Sequence, residues 1–149
     1  MDTIINLEKI KRFIGKRKVA FIASNDEEEF PNVKAVLFSA TLCSRQMEGM
    51  KTFYFSTNTS SMRVEQYRKN PKACLYFYRK GLIKYQGVML KGTMEVLEDD
   101  GIKRECWRFG DKIFYPKGVT DPDYCILKFT ATVGRYYCDL KTESFEIEK

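Results

Sequence analysis

The chain has 149 residues, 44% hydrophobic and 31% charged, with 9 Gly, 4 Pro and a net charge of +6. That length suits one domain over residues 1–149, and the balance excludes a disordered, collagen-like or low-complexity chain. Zero histidines remove Ser-His-Asp and Cys-His catalysis and imidazole-based zinc sites, and no apolar run approaches the ~18 residues of a membrane span.

Cys43, Cys74, Cys106, Cys125 and Cys138 form no CxxC element, so no metal centre or thioredoxin-type site is expected. An odd count of isolated cysteines fits a reducing compartment, where cysteine serves as a small buried hydrophobe. The opening Met1-Asp2-Thr3-Ile4-Ile5-Asn6 lacks the basic-then-apolar order of a secretory signal, and a cytoplasmic address is the expectation.

In chain order, Leu7, Ile10, Phe13 and Ile14 follow helical spacing, with Gly15 as a stop. A strand over Val19–Ser24, an acidic turn and a second strand over Asn32–Thr41 read as a hairpin. Gln46–Met50 reads as a turn before a third, aromatic and β-branched strand over Lys51–Thr57. Ser60 and Ser61 are candidate caps for a two-turn helix that Asn70-Pro71 ends. Strands over Lys72–Arg79 and Ile83–Leu97 follow, then a helical stretch over Ile102–Phe109 and a proline-containing loop over Ile113–Asp123. Strands over Tyr124–Ala131 and Arg135–Leu140 close the chain, with Phe145 and Ile147 suggesting a short edge strand. Tight connections and few helices predict mainly antiparallel pairing, six or seven strands closing into a small barrel in an α+β domain.

The residues single out no catalytic acid, base or nucleophile. They do single out a binding corner. Thr52 to Arg63 places a strand end, a run of hydroxyls at Ser56, Thr57, Thr59, Ser60 and Ser61, and an arginine directly before a helix N-terminus. Such an end offers unpaired amides and about half a positive charge, which suits phosphate, and a guanidinium fork adds to the fit. An ordinary hydroxyl-rich cap would look the same locally. Lys34, inside the otherwise apolar Val33-Lys34-Ala35-Val36-Leu37-Phe38, points to solvent, a partner or a ligand.

The run Phe55-Ser56-Thr57-Asn58-Thr59-Ser60-Ser61-Met62-Arg63, continued through Asn70-Pro71-Lys72-Ala73-Cys74-Leu75-Tyr76-Phe77, resembles the flavin-binding core of pyridoxamine 5′-phosphate oxidase-like proteins, particularly their general stress protein branch. Pro31–Val36, Gly92-Thr93-Met94-Glu95-Val96 and Tyr115-Pro116 through Tyr124 are similar to that family's second strand, later strand and late loop, in its order.

The resemblance implies a split β-barrel homodimer with FMN in each of two clefts at the subunit interface. Ser61 and Arg63 would bind the phosphate, Ser56 and Thr57 would line the ribityl and phosphate path, Lys34 would assist from the adjacent strand, and Ser60 would be among the cofactor-binding residues. Main-chain groups of Ala35, Val36 and Leu37 would face the ring, and Gly87, beside Gln86, stands at the family's flavin-contacting glutamine. The substrate-holding Arg-x-His of the vitamin B6 oxidases is missing, and Met62 replaces a basic residue, which counts against B6-phosphate oxidation.

The leading expectation is therefore an FMN-dependent oxidoreductase acting on a small molecule. A second reading is a non-catalytic flavin-binding stress-response protein, and a third a nucleic-acid-binding barrel using the +6 charge. The expected partners are a second copy of the chain and a small molecule, without nucleic acid or membrane. Trp107, Phe109, Phe114 and Tyr115 are candidates for core or dimer packing, or for covering a partner's flavin. Tyr76, Tyr78 and Tyr85 are expected to alternate between core and outer face.

Overall fold

A computed structural model describes residues 6–147. Helix α1 (Leu7–Gly15) is capped by Asn6, whose Oδ1 accepts from the Lys9 amide at 3.1 Å, and it buries Ile10, Phe13 and Ile14. Seven strands follow: β1 (Val19–Asn25), β2 (Pro31–Leu37), β3 (Thr52–Asn58), β4 (Lys72–Lys80), β5 (Tyr85–Leu97), β6 (Tyr124–Cys138) and β7 (Lys141–Glu146). Helix α2 (Met62–Lys69) lies between β3 and β4, and α3 (Asp100–Cys106) between β5 and β6.

Every pairing is antiparallel, in the order β2-β1-β4-β5-β6-β3, with β7 beside the far half of β6. The sheet curls without closing, so β2 and β3 are left as two unjoined edges, the form of a split barrel. Its interior holds Ile22, Phe53, Phe55, Leu75, Phe77, Leu90 and Phe129, each contributing about 1.5–3 kcal/mol by leaving water. A second apolar cluster, Tyr54, Ile102, Cys106, Tyr115, Tyr124 and Ile126, lies beneath α3 on the other face of β3.

Several boundaries differ from expectation, each for a packing reason. The second strand stops at Leu37 rather than Thr41 because Phe38 turns inward, its ring 5.1 Å from Phe77 and 5.9 Å from Phe55. Ser39 and Thr41 then form a hydroxyl-stabilised turn. The long loop after it is anchored by buried Gln46. Its Nε2 donates to the carbonyls of Ser39 (2.9 Å) and Tyr54 (3.0 Å), and its Oε1 accepts the Tyr54 amide at 2.7 Å.

Helix α3 begins at Asp100, capped by Asp99, and ends at Cys106 instead of reaching Phe109, since Trp107 is extended. The two closing strands expected over 124–131 and 135–140 are one continuous strand, β6. Gly134 is a gap for rings and not a turn, as a Cβ there would meet Phe145 at 2.4 Å and Leu90 at 2.9 Å. The edge strand near Phe145 runs over Lys141–Glu146, and Ile147 buries itself just beyond it.

Candidate functional site

The corner between β3 and α2 is braced from outside. Asp123 accepts the Thr59 amide at its carbonyl (2.7 Å) and the Ser60 amide at its carboxylate (2.8 Å), while Asn58 Nδ2 donates to Ser60 Oγ at 3.0 Å. Ser60 is thus a fixture of the corner, and Ser61 is the cap, its Oγ accepting from Val64 at 3.4 Å. The first amides of α2, those of Met62 and Arg63, have no intrahelical acceptor.

Two buried polar atoms here lack a hydrogen-bond partner, Arg63 Nε and Thr59 Oγ1. Burial lowers the pKa of Arg63, while the neighbouring Tyr67 hydroxyl pulls the other way. Leaving such groups unpaired costs about 1–3 kcal/mol each, more for a charged one. A partly desolvated cation beside open helix amides fits a set of anionic oxygen acceptors, and a phosphate has that chemistry.

The unjoined strand edges supply the next wall. Along an antiparallel strand, successive residues turn their main-chain groups to alternate sides. Phe38 donates its amide to Lys18 of the β1 side, so Lys34 and Val36 pair toward β1 and Ala35 and Leu37 face the open edge. Lys34 itself is exposed at mid-strand, opposite Ile22. On β3, Gln46 and Met47 occupy the free-edge groups of Tyr54 and Thr52, leaving Ser56 as the next open position.

Ser56 and Thr57 face opposite sides of β3. Ser56 is exposed on the outer face, whereas Thr57 is buried toward the barrel interior and pairs its main chain with Cys125 of β6. Ser56 opens into a cleft of about 760 Å³ at the seam of the barrel, with Arg17, Leu37, Phe38, Arg108, Phe114 and Tyr115 among its walls. Arg108 is held there by the hydroxyls of Ser39 (2.9 Å) and Thr41 (3.2 Å).

The aromatic candidates divide. Trp107 and Tyr115 pack around Tyr124, with centroids 5.1 and 4.8 Å from it, while Phe109 is fully exposed and Phe114, largely exposed, forms part of the cleft wall. Burial pushes the Tyr115 hydroxyl up to about 12. Tyr76, Tyr78 and Tyr85 do not alternate between faces. Tyr76 and Tyr78 have the same strand parity, and all three stack in a ladder on the outer face, 6.4 and 6.0 Å between successive rings. Gln86 donates to the Tyr136 hydroxyl at 2.9 Å, and Gly87 lies under the Tyr76 hydroxyl.

Sequence reading missed Asp123, Gln46, Arg17 and Arg108. The Asp-Pro-Asp run at 121–123 was a visible turn signal, but its reach of 63 residues to Ser60 was not. Among the described residues no group of three His, Cys, Asp or Glu is placed to hold a metal ion, and no helix is long and apolar enough to cross a membrane.

Known proteins supply an independent measure. No curated protein matches the chain. A protein related to general stress protein 26, of the pyridoxinephosphate oxidase family, from Clostridium acetobutylicum is 40% identical over 95% of this chain and 94% of its own, with a TM-score of 0.79. General stress protein 26 from Bacillus anthracis shares the fold at 18% identity, covering 94% and 97% of the two chains with a TM-score of 0.73. So does a heme binding protein from Mycobacterium smegmatis, at 12% identity, 98% and 60% coverage and a TM-score of 0.73. The family model of pyridoxamine 5′-phosphate oxidase matches residues 7–138, the stretch that builds all seven strands but the last, and the chain belongs to that family.

Proposed function

We propose that the chain is an FMN-binding homodimer that acts as a flavin-dependent oxidoreductase on a small molecule. The observation that carries this reading is the buried, unpartnered Arg63 Nε beside the open amides of α2. Arg63, the Ser61 hydroxyl and the amides of Met62 and Arg63 would hold the phosphate, with Ser60 keeping the corner in shape. Ser56, through its hydroxyl and edge main chain, would line the ribityl path, and Thr57 would back it from the core side. Ala35 and Leu37 would present edge main-chain groups to the ring, Val36 would support them from within, and Lys34 would add positive charge.

When bound, the flavin supplies hydride or electron transfer, and the protein's part is binding, orientation and electrostatics. That division suits a chain without histidine, which also lacks the ordinary proximal imidazole for heme. Dimerisation is supported by the apolar edge strand β2, where Val33 and Leu37 are 68% and 85% exposed, and by fully exposed Phe109.

The test compares FMN with riboflavin, which lacks the phosphate. Arg63→Ala is expected to weaken FMN by about 10- to 100-fold, the effect of one charge-assisted hydrogen bond, and riboflavin by less than about threefold. Fluorescence titration reads both. Equal losses would assign Arg63 a packing role, and a wild-type protein that fails to quench FMN would end the flavin reading.

A further inference from the structure

The seam cleft carries a charge that the flavin reading does not use. Its walls bring Lys16, Arg17, Lys18 and Arg108 together with a single carboxylate, Asp111. These cations come from two places far apart in sequence, the turn after α1 and the segment after α3, so helix-surface patterning does not explain their meeting. Asp111 is occupied in part, since its Oδ2 accepts the Arg108 amide at 2.8 Å.

Arg17 is set in place before any ligand arrives. Its Nε donates to the Phe13 carbonyl at 3.1 Å, and its guanidinium lies 4.6 Å from the centroid of the Phe13 ring. Those contacts fix the side chain and leave both terminal nitrogens free of ion pairs among the described residues. Partial burial and the like charge of Arg79 both act against its protonated form, an unfavourable state that an anion would relieve. Arg108, across the cleft, is fixed as firmly by Ser39 and Thr41. Between them the lining is apolar and aromatic, from Leu37, Phe38, Phe114 and Tyr115.

We propose that this cleft binds a small organic anion, its carboxylate or phosphate held by the Arg17 fork with Arg108 as the second cation, and its apolar body laid against Phe38, Phe114 and Tyr115. A pre-positioned guanidinium loses little entropy on binding and matches a planar or tetrahedral oxyanion in two bonds. The volume suits a compact ligand. The site goes beyond the flavin reading and shares with it Ser56 and Leu37 alone.

Calorimetry on FMN-saturated protein with benzoate, phenyl phosphate and neutral benzyl alcohol tests it. At least one of the two anions is expected to bind, and benzyl alcohol at least about tenfold more weakly. Arg17→Gln should cost about tenfold or more in anion affinity, Arg17→Lys less because charge remains, and Arg108→Gln an intermediate amount, with FMN affinity unchanged within about twofold in all three. Equal binding of acid and alcohol, full anion affinity in both glutamine variants, or loss of anion binding whenever FMN is present would overturn the proposal. Should FMN fail to bind while benzoate still depends on Arg17, the flavin reading falls and the anion site stands.

Discussion

Asp121 shows how much one side chain organises here. Its carboxylate accepts the amides of Asp123 (3.0 Å) and Lys117 (3.1 Å), and its carbonyl accepts Nζ of buried Lys103 at 3.1 Å. The amide of Asp123 and then that of Lys117 hold the carboxyl below the usual carboxylate range, with positive Lys117 and Lys103 adding to the effect. A folded-state value below the unfolded one gives stability that is fully present above the unfolded pKa of about 4 and is lost as pH falls through the lower folded value. Urea midpoints measured between pH 6 and 2.5 should therefore fall with acid in the wild type and fall less steeply in Asp121→Asn. Local chemistry of this kind was partly legible. Ser61 and Arg63 could be read as neighbours because a cap and its helix are contiguous. Gln46, by contrast, substitutes for a strand partner only after the loop has folded, and nothing about an isolated glutamine announces that.

Among the elements, alternation and helical spacing located each helix and strand core, since local propensity and burial agree there. They failed where a residue's role is set across the sheet. Gly134 falls in the gap left between the two expected closing strands and proved to be room for Phe145 inside one continuous strand. Gly92 is the opposite case, a glycine inside an unbroken strand at the register shift between Lys91 and Gly92. A Cβ at that position would lie 1.9 Å from the Thr130 carbonyl oxygen, a main-chain atom that cannot step aside without breaking the β5–β6 ladder. Gly92→Ala should cost about 3 kcal/mol or more, whereas Gly15→Ala, with open space around its Cβ, should be close to neutral. Chemical denaturation of the two variants gives the comparison. An equal, small effect would mean that the bulge is soft.

At the scale of the whole molecule, the candidate site is made of things distant in sequence: two strand edges, one helix terminus, and turns 90 residues apart. Contiguous motifs exposed the corner between β3 and α2 proposed to hold phosphate, and the resemblance they carry covers the fold. The seam cleft could not be read, because Arg17 and Arg108 meet only through the curl of the sheet. Assembly is the remaining large-scale expectation. Phe109 and Ile113 stand out from the loop after α3, each almost fully exposed, as residues awaiting cover do. Sedimentation should give the wild type twice the 17.5 kDa chain mass, and Phe109→Asp combined with Ile113→Asp should shift it toward the single chain and weaken FMN. A monomeric wild type that holds FMN tightly would remove the interface from the account.

Gln46 has a consequence for why a slot exists at all. By satisfying both main-chain groups of Tyr54, it denies the third strand's outer margin to any zippering neighbour, whether the chain's own second strand or a foreign one. At that rung β3 has no main-chain group left for a neighbouring strand, and β2 and β3 stay unpaired across the seam. An amide side chain ten residues upstream of Ser56 thus decides where the bare margin begins, with Ser56 as its first rung.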